Sequence, residues 1–358
     1  MKIILSILSQ RLHLMKVVLI DRSVKKRADL EHRIVRIEQP SRETRNESYF
    51  KGLGEDLKVS KIISVEKEST ALLLSEIMID AESVLEMIKP DFILLYGSDL
   101  AALAVALLAV QKKIPLGHIN AGLRNFDKSS PGEINSILVD HMSQLLFCST
   151  STTVDNLVNE GITSEIRVVG DLILEMLKMK RDEISQKAYG LLKEHDLKPE
   201  EYVLADIRFR KNLFPGRLSK ILSGLISSNK KIVLLTYKRL NKAIKKNGID
   251  IGKIKCVEDS SYLDTFALIS NAEKVVCDSE SMEREGYFYK KPTVVLRNTT
   301  VWNEILTNKW MTLVDSDKER IRNSIIDFSP SESSYRANLF GTGFNVADDI
   351  VEEIYKIL

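Results

Sequence analysis

Two stretches of this chain gather the residue types that move protons and hold anions. The first runs Gly117-His-Ile-Asn-Ala-Gly-Leu-Arg124 and continues to Ser130-Pro-Gly-Glu-Ile-Asn135; the second runs Asp278-Ser-Glu-Ser-Met-Glu-Arg-Glu-Gly286. Carboxylates beside a substrate act as general acids and bases, and the N–H groups that open a helix bind anions. These residues also have structural readings. Ser130-Pro-Gly-Glu133 has the spacing of a capping box, with Pro131 in the first helical position and Glu133 reaching back from the third. Glu280, Glu283 and Glu285 are acids that a helix dipole favours near its start. His118 and His141 suit structural positions beside a strand and on a helix face.

The elements that would position them are short apolar runs alternating with helical segments. Strands are expected at Ile3–Leu8, Phe92–Tyr96, Leu116–Ile119, Leu145–Cys148, Ile166–Val169, Val203–Ala205, Ile232–Leu235, Lys274–Cys277 and Thr293–Leu296. Most are continuously apolar, the pattern of strands buried on both faces of a parallel sheet. Helices such as Thr70–Ile88 and Ala101–Gln111 separate them, which implies doubly wound α/β units. The stretch Leu174–Glu200, rich in Lys and Glu, has no strand signal and places a domain boundary near 172–200. The expected division is therefore 1–172 and 173–345, with an amphipathic last helix from Val346 carrying Val346, Ile350, Val351, Ile354 and Leu358 on one stripe. Ligands of such sheets bind beyond the carboxyl ends of the strands, so two facing domains would enclose a cleft.

At 358 residues the chain exceeds one hydrophobic core, and 44% apolar with 28% charged residues is ordinary for a globular protein. Net charge is 52 minus 50, or +2, which argues neither for nor against an acidic partner. The cluster Lys238, Arg239, Lys242, Lys245 and Lys246 lacks interleaved aromatics and reads as a solvated helix face, so no nucleic-acid partner is expected. Cys148, Cys256 and Cys277 sit in apolar runs without CxxC spacing, as buried thiols of a reducing compartment do. The apolar start, Met1–Ser9, is followed at once by Arg11, His13 and Lys16 and reads as a first strand. The longest apolar run, Ala101–Val110, is half a membrane span. A cytoplasmic protein with no membrane partner is expected.

The two stretches, together with Lys291-Pro-Thr-Val-Val-Leu-Arg-Asn-Thr-Thr300, resemble the non-hydrolysing UDP-N-acetylglucosamine 2-epimerases. Partial matches in the same order span nearly the whole chain. The resemblance implies a GT-B-like fold of two Rossmann-like domains, with the last helix packed back on the first. It also implies a UDP-sugar ligand, no cofactor or metal, and a homodimer. By the same resemblance, inversion at carbon 2 proceeds by eliminating UDP to a glycal and adding it back. That chemistry needs carboxylates at the sugar and cations or backbone donors at the pyrophosphate.

The implied pyrophosphate side is partly kept. The family's Gly-Thr-Arg-Pro-Glu-x-x-Lys is matched by Ser9-Gln-Arg-Leu-His-Leu-Met-Lys16, which retains Arg11 and Lys16. Its Asp-Ser-Gly-Gly-x-Gln-Glu-Glu is matched by Asp278–Glu285, where Ser279 and Glu285 fall on positions for phosphate and uridine ribose. Glu280 replaces a glycine there and adds charge that opposes a pyrophosphate unless it turns away.

The implied proton-moving side is gone. Its Asp becomes Ser98, its two glutamates become Asn120 and Gly132, an arginine becomes Ser136, and its histidine becomes Ile207 with Arg208 beside it. Asp99 and Glu133 are the neighbours that could substitute, although a one-residue shift turns Asp99 to the opposite face. The expectation is a nucleotide-sugar-binding protein whose standard epimerisation is lost or weak. The alternative is an active isomerase using relocated carboxylates Asp99, Glu133 and Glu285. Another GT-B reaction, such as glycosyl transfer, has no motif in its favour.

Overall fold

Runs such as Phe92–Leu95 and Val203–Asp206 are buried along their whole length, because each lies between two strands and under helices on both faces. The computed structural model describes residues 1–10, 12–38, 52–53, 57–66, 69–259 and 261–358; Arg11 lies outside the described residues. The chain divides into two compact units, Met1–Met179 with Asn338–Leu358, and Lys180–Ala337.

In the first unit β1 (Lys2–Leu8) leads to α1 (His13–Val24), β2 (Leu30–Glu38), β3 (Lys61–Ser64) and α2 (Thr70–Ile88). There follow β4 (Phe92–Leu95), α3 (Leu100–Gln111), β5 (Leu116–Ile119), α4 (Pro131–Met142), β6 (Leu145–Cys148), α5 (Ser151–Asn159), β7 (Ile166–Val168) and α6 (Leu172–Met179). The sheet is parallel in the order β3-β2-β1-β4-β5-β6-β7. Leu5 and Ile7 of β1 join a core cluster with α2 and α3, while Ile4 and Leu8, on the opposite face, are equally buried.

The second unit starts with α7 (Arg181–Glu194), β8 (Val203–Asp206), α8 (Pro215–Ser227), β9 (Ile232–Thr236), α9 (Lys238–Lys246) and β10 (Lys255–Glu258). It continues through α10 (Tyr262–Asn271), β11 (Lys274–Cys277), α11 (Glu280–Phe288), β12 (Thr293–Val295), α12 (Asn303–Thr307), β13 (Met311–Leu313) and α13 (Lys318–Asp327). Its parallel sheet runs β10-β9-β8-β11-β12-β13. The last helix, α14 (Val346–Tyr355), packs on α1 and α6 within the first unit. Val346, Ile350, Val351 and Ile354 are its buried stripe, and Leu358 is only partly covered.

The units part after Met179, seven residues beyond the division at 172, because α6 packs against α1 and α14. Cys256 is exposed on the edge strand β10, contrary to the expectation of three buried thiols; Cys148 and Cys277 are buried. No helix among the described residues is long and apolar enough to cross a membrane.

Candidate functional site

Strand order reverses once in each sheet, between β1 and β4 in the first unit and between β8 and β11 in the second. Loops leaving such a pair diverge and open a crevice at the carboxyl edge, where ligands of open α/β sheets bind. The residues singled out from the sequence follow these strands.

At the first crevice Lys16 is buried, and its Nζ donates to the Tyr96 carbonyl at 3.4 Å. Ser98 does not stand alone: its Oγ shares a hydrogen bond of 2.5 Å with Ser136 Oγ. The positions where the resemblance implies an acid and an arginine thus carry a matched pair of hydroxyls. Asp99 caps α3, accepting from the amides of Ala101 and Ala102 at 3.1 Å each, which consumes one carboxylate oxygen. Its other oxygen accepts from Gln10 Nε2 at 3.5 Å.

Asn120 has φ of 66°, a left-handed conformation that asparagine tolerates better than glutamate does, and its Oδ1 accepts from Ser149 Oγ at 3.1 Å. Gly132 has open space around it, the nearest atom to an added Cβ being Ser130 Oγ at 3.7 Å. Sterics therefore do not explain the missing side chain there.

The capping box expected at Ser130 and Glu133 is absent. The Ser130 N–H donates instead to the Asp127 carbonyl, and Ser130 Oγ makes no capping bond. Glu133, buried, accepts from the amides of Asn125 at 2.8 Å and Phe126 at 3.0 Å. That loop turns through Phe126 at φ 60° and leaves two N–H groups that need a buried acceptor, which Glu133 supplies.

Beneath this edge the Gly117–Arg124 stretch builds a network that sequence reasoning missed. Asp140 accepts from the Gly122 amide at 3.0 Å, and its carboxylate lies 2.6 Å from His118 Nδ1 and 2.7 Å from Arg124 Nη2. Arg124, fully buried, also holds Glu160 through Nε at 2.8 Å and Nη2 at 2.7 Å. Burial alone would push the Asp140 carboxyl up, but His118 and Arg124 reverse this and hold it below its ordinary value. Gly122 is obligatory here, with φ of 77° and only 2.2 Å between an added Cβ and the Thr153 carbonyl oxygen.

At the second crevice Ile207 is fully buried in the core, and its carbonyl accepts from Tyr237 Oη at 3.1 Å. Arg208 turns back onto its own unit. Its Nε donates to Asp206 at 2.8 Å, it pairs with Asp259, and it lies over the Tyr237 ring at 4.3 Å. Ser279 caps α11, its Oγ accepting from the Met282 amide at 3.4 Å. Glu285 is buried and accepts from Tyr262 Oη.

Three further groups converge on these loops without having been singled out as site residues. Asp278 bridges them, accepting from the Arg208 amide at 2.6 Å and Asn212 Nδ2 at 2.9 Å; burial pushes its carboxyl up to about 6. Glu283 is fully buried, with Thr300 donating to Oε2, and burial raises its carboxyl to about 7. Arg297, at the end of β12, pairs with Glu280 at 2.9 Å. A basic residue directly after an apolar strand was the signal available for it. A cavity of about 510 Å³ between α7 and α10 is lined in part by Leu235, Val257, Asp259 and Thr265, and Asp259 ties it to Arg208.

The sequence profile of the family described as UDP-N-acetylglucosamine 2-epimerase matches residues 22–355. A UDP-N-acetylglucosamine 2-epimerase homolog of Methanococcus maripaludis is 35% identical over 288 residues, covering 79% of this chain and 80% of that protein. The UDP-2,3-diacetamido-2,3-dideoxy-D-glucuronate 2-epimerase of Pseudomonas aeruginosa is 29% identical over 328 residues, covering 89% and 90%. The crystal structure of Methanocaldococcus jannaschii UDP-GlcNAc 2-epimerase in complex with UDP-GlcNAc and UDP is similar at a TM-score of 0.89 and 26% identity, covering 99% of each chain. The paired Rossmann-like units are those of the GT-B-like class. Profile, relatives and fold agree, and the chain belongs to the UDP-N-acetylglucosamine 2-epimerase family.

Proposed function

We propose that this protein binds a UDP-sugar, UDP-GlcNAc or a relative, and that standard 2-epimerisation is absent or greatly slowed in it. The observation that carries this is the contrast between the two crevices. The second keeps Ser279 at a helix start, buried Glu285 and nearby Arg208 and Arg297. In the first unit, by resemblance, the retained anchor positions are Lys16 and, outside the described residues, Arg11. The first crevice carries Ser98, Asn120 and Gly132 where acids would act, and Ile207 replaces the histidine.

Redeployed carboxylates are poorly placed to compensate, since Asp99, Glu133 and Glu285 already accept hydrogen bonds within the fold. A positioned acid or base is worth ~10²–10⁴ in rate, and groups that act as a unit do not add freely. Calorimetry with UDP and UDP-GlcNAc should show binding, while the carbon-2 proton of UDP-GlcNAc should not exchange with deuterated solvent. Absence of heat at millimolar ligand refutes the binding half, and ready exchange refutes the other.

We further propose that the protein is a homodimer in which a second copy covers α3 and α4. These helices pack against each other and leave Leu107, Val110, Ile134 and Leu138 exposed, apolar side chains that a second copy would cover. Light scattering should return twice the monomer mass, and Leu138→Lys should halve it. A monomer at tens of micromolar, the scale at which stable dimers persist, rejects this.

A further inference from the structure

We propose that the cavity beside α7 is a second ligand site, one that takes a small organic cation with a flat apolar body. Its volume of about 510 Å³ falls inside the range of roughly 300–1,000 Å³ for small-molecule pockets. α7, α10 and the carboxyl ends of β9 and β10 form its walls. None of the described residues lining it lies in the loops after β8 and β11, where the second crevice opens. The site therefore stands independently of the UDP-sugar reading.

The floor is apolar, with Leu191 of α7, Val257 of β10 and Leu268 of α10. Gly190 joins them from the interior of α7, where glycine weakens a helix relative to other residues. No atom lies within 4 Å of a Cβ built at Gly190, so packing does not demand the missing side chain. What the glycine preserves is open space against the helix, into which a flat group fits. The rim is acidic: among the described residues lining the cavity, Glu194, Glu258, Asp259 and Asp264 face Lys187 and His195. Asp259 pairs with Arg208, and Asp264 holds the Lys187 ammonium at 2.8 Å. Glu194 and Glu258 add two carboxylates beyond these pairs. Lys255, outside the lining, turns its Nζ to the His195 carbonyl. A guest entering here meets apolar walls and surplus negative charge, and a cation with an apolar body suits both. Lys187 and Glu194 are two turns apart along α7, roughly 10 Å, enough for an aromatic ring with a short ammonium arm.

The test is a ligand-observed NMR titration of the full-length protein with 2-phenylethylamine and, as its uncharged counterpart, 2-phenylethanol. The amine should bind with a Kd of about 1 mM, as a ligand of this size can, and at least about threefold more tightly than the alcohol. Gly190→Leu places a side chain in the cavity and should abolish binding; leucine is the better helix former, so the variant folds. Glu258→Gln should weaken the amine about threefold and leave the alcohol unchanged. Saturating UDP should displace neither probe. No binding of the amine at 10 mM, roughly ten times the expected Kd, overturns the proposal. So does binding that survives Gly190→Leu, because the probe then sits elsewhere. Equal affinity for amine and alcohol rejects the cationic ligand, and displacement by UDP would make the cavity part of the second crevice.

Discussion

Replacing Arg124 with methionine should destabilise the first unit by about 3–5 kcal/mol, the range for removing one member of a buried ion pair. Arg124 is fully buried and the Asp140 side chain has no exposure, so no water can replace the lost guanidinium. Asp140 would keep the Gly122 amide and the His118 imidazole but lose the guanidinium charge. Glu160 offers a contrast within the same cluster. Its side chain is 25% exposed and partly solvated, so Glu160→Gln should cost at most about 1 kcal/mol.

Both tryptophans, Trp302 and Trp310, lie in the second unit, so their fluorescence is blind to this change. Amide hydrogen exchange over β5, β6 and the Gly117–Arg124 stretch is the appropriate measurement. Protection should collapse in Arg124→Met and persist in Glu160→Gln. Unchanged protection in the methionine variant would show that the network contributes little.

How much of this was legible in the sequence depends on whether a residue's partner is local. The buried strands were readable because Phe92–Leu95 or Leu145–Cys148 must be apolar over their length to lie between helices. β2 escaped because it carries His32, Arg33, Arg36 and Glu38 among its apolar residues. Those charges are tolerated inside by pairing, Arg36 with Glu38 and His32 with Asp21, and such pairing leaves no periodic signal. Strands β10 and β13, the two edges of the second sheet, and β3, at one edge of the first, were missed because an edge strand is only partly buried and shows no continuous apolar run.

The site divides the same way. Resemblance located Ser98 and Asn120, but only the structure couples Ser98 to Ser136 and seats Asn120 in a left-handed turn. Glu133 met every local criterion for a capping box and was drawn instead to the amides of Asn125 and Phe126, which a local pattern does not see. Asp99 followed by Leu-Ala-Ala is the start of a helix, and the capping role it takes was available from that order alone.

Replacing Glu283 with glutamine should make the second unit more stable at alkaline pH and change the shape of its pH profile. Burial pushes the Glu283 carboxyl up to about 7 from an ordinary 4.5. Between those values the folded chain keeps a proton that the unfolded chain has released. The contribution to stability is therefore fully present below about pH 4.5 and is lost as pH rises through about 7. Glutamine has no proton to lose, and its amide oxygen can still accept from Thr300. Relative to the unmodified protein, Glu283→Gln should gain roughly 3 kcal/mol between about pH 4.5 and pH 8, from the size of that shift. Asp278, also raised by burial, to about 6, is present in both forms and largely cancels in the comparison. Trp302 Nε1 donates to the Glu280 carbonyl and Trp302 N to Thr300, so tryptophan fluorescence in urea reports on the region concerned. Parallel pH profiles for the two proteins would mean that Glu283 is ionised in the fold at neutral pH.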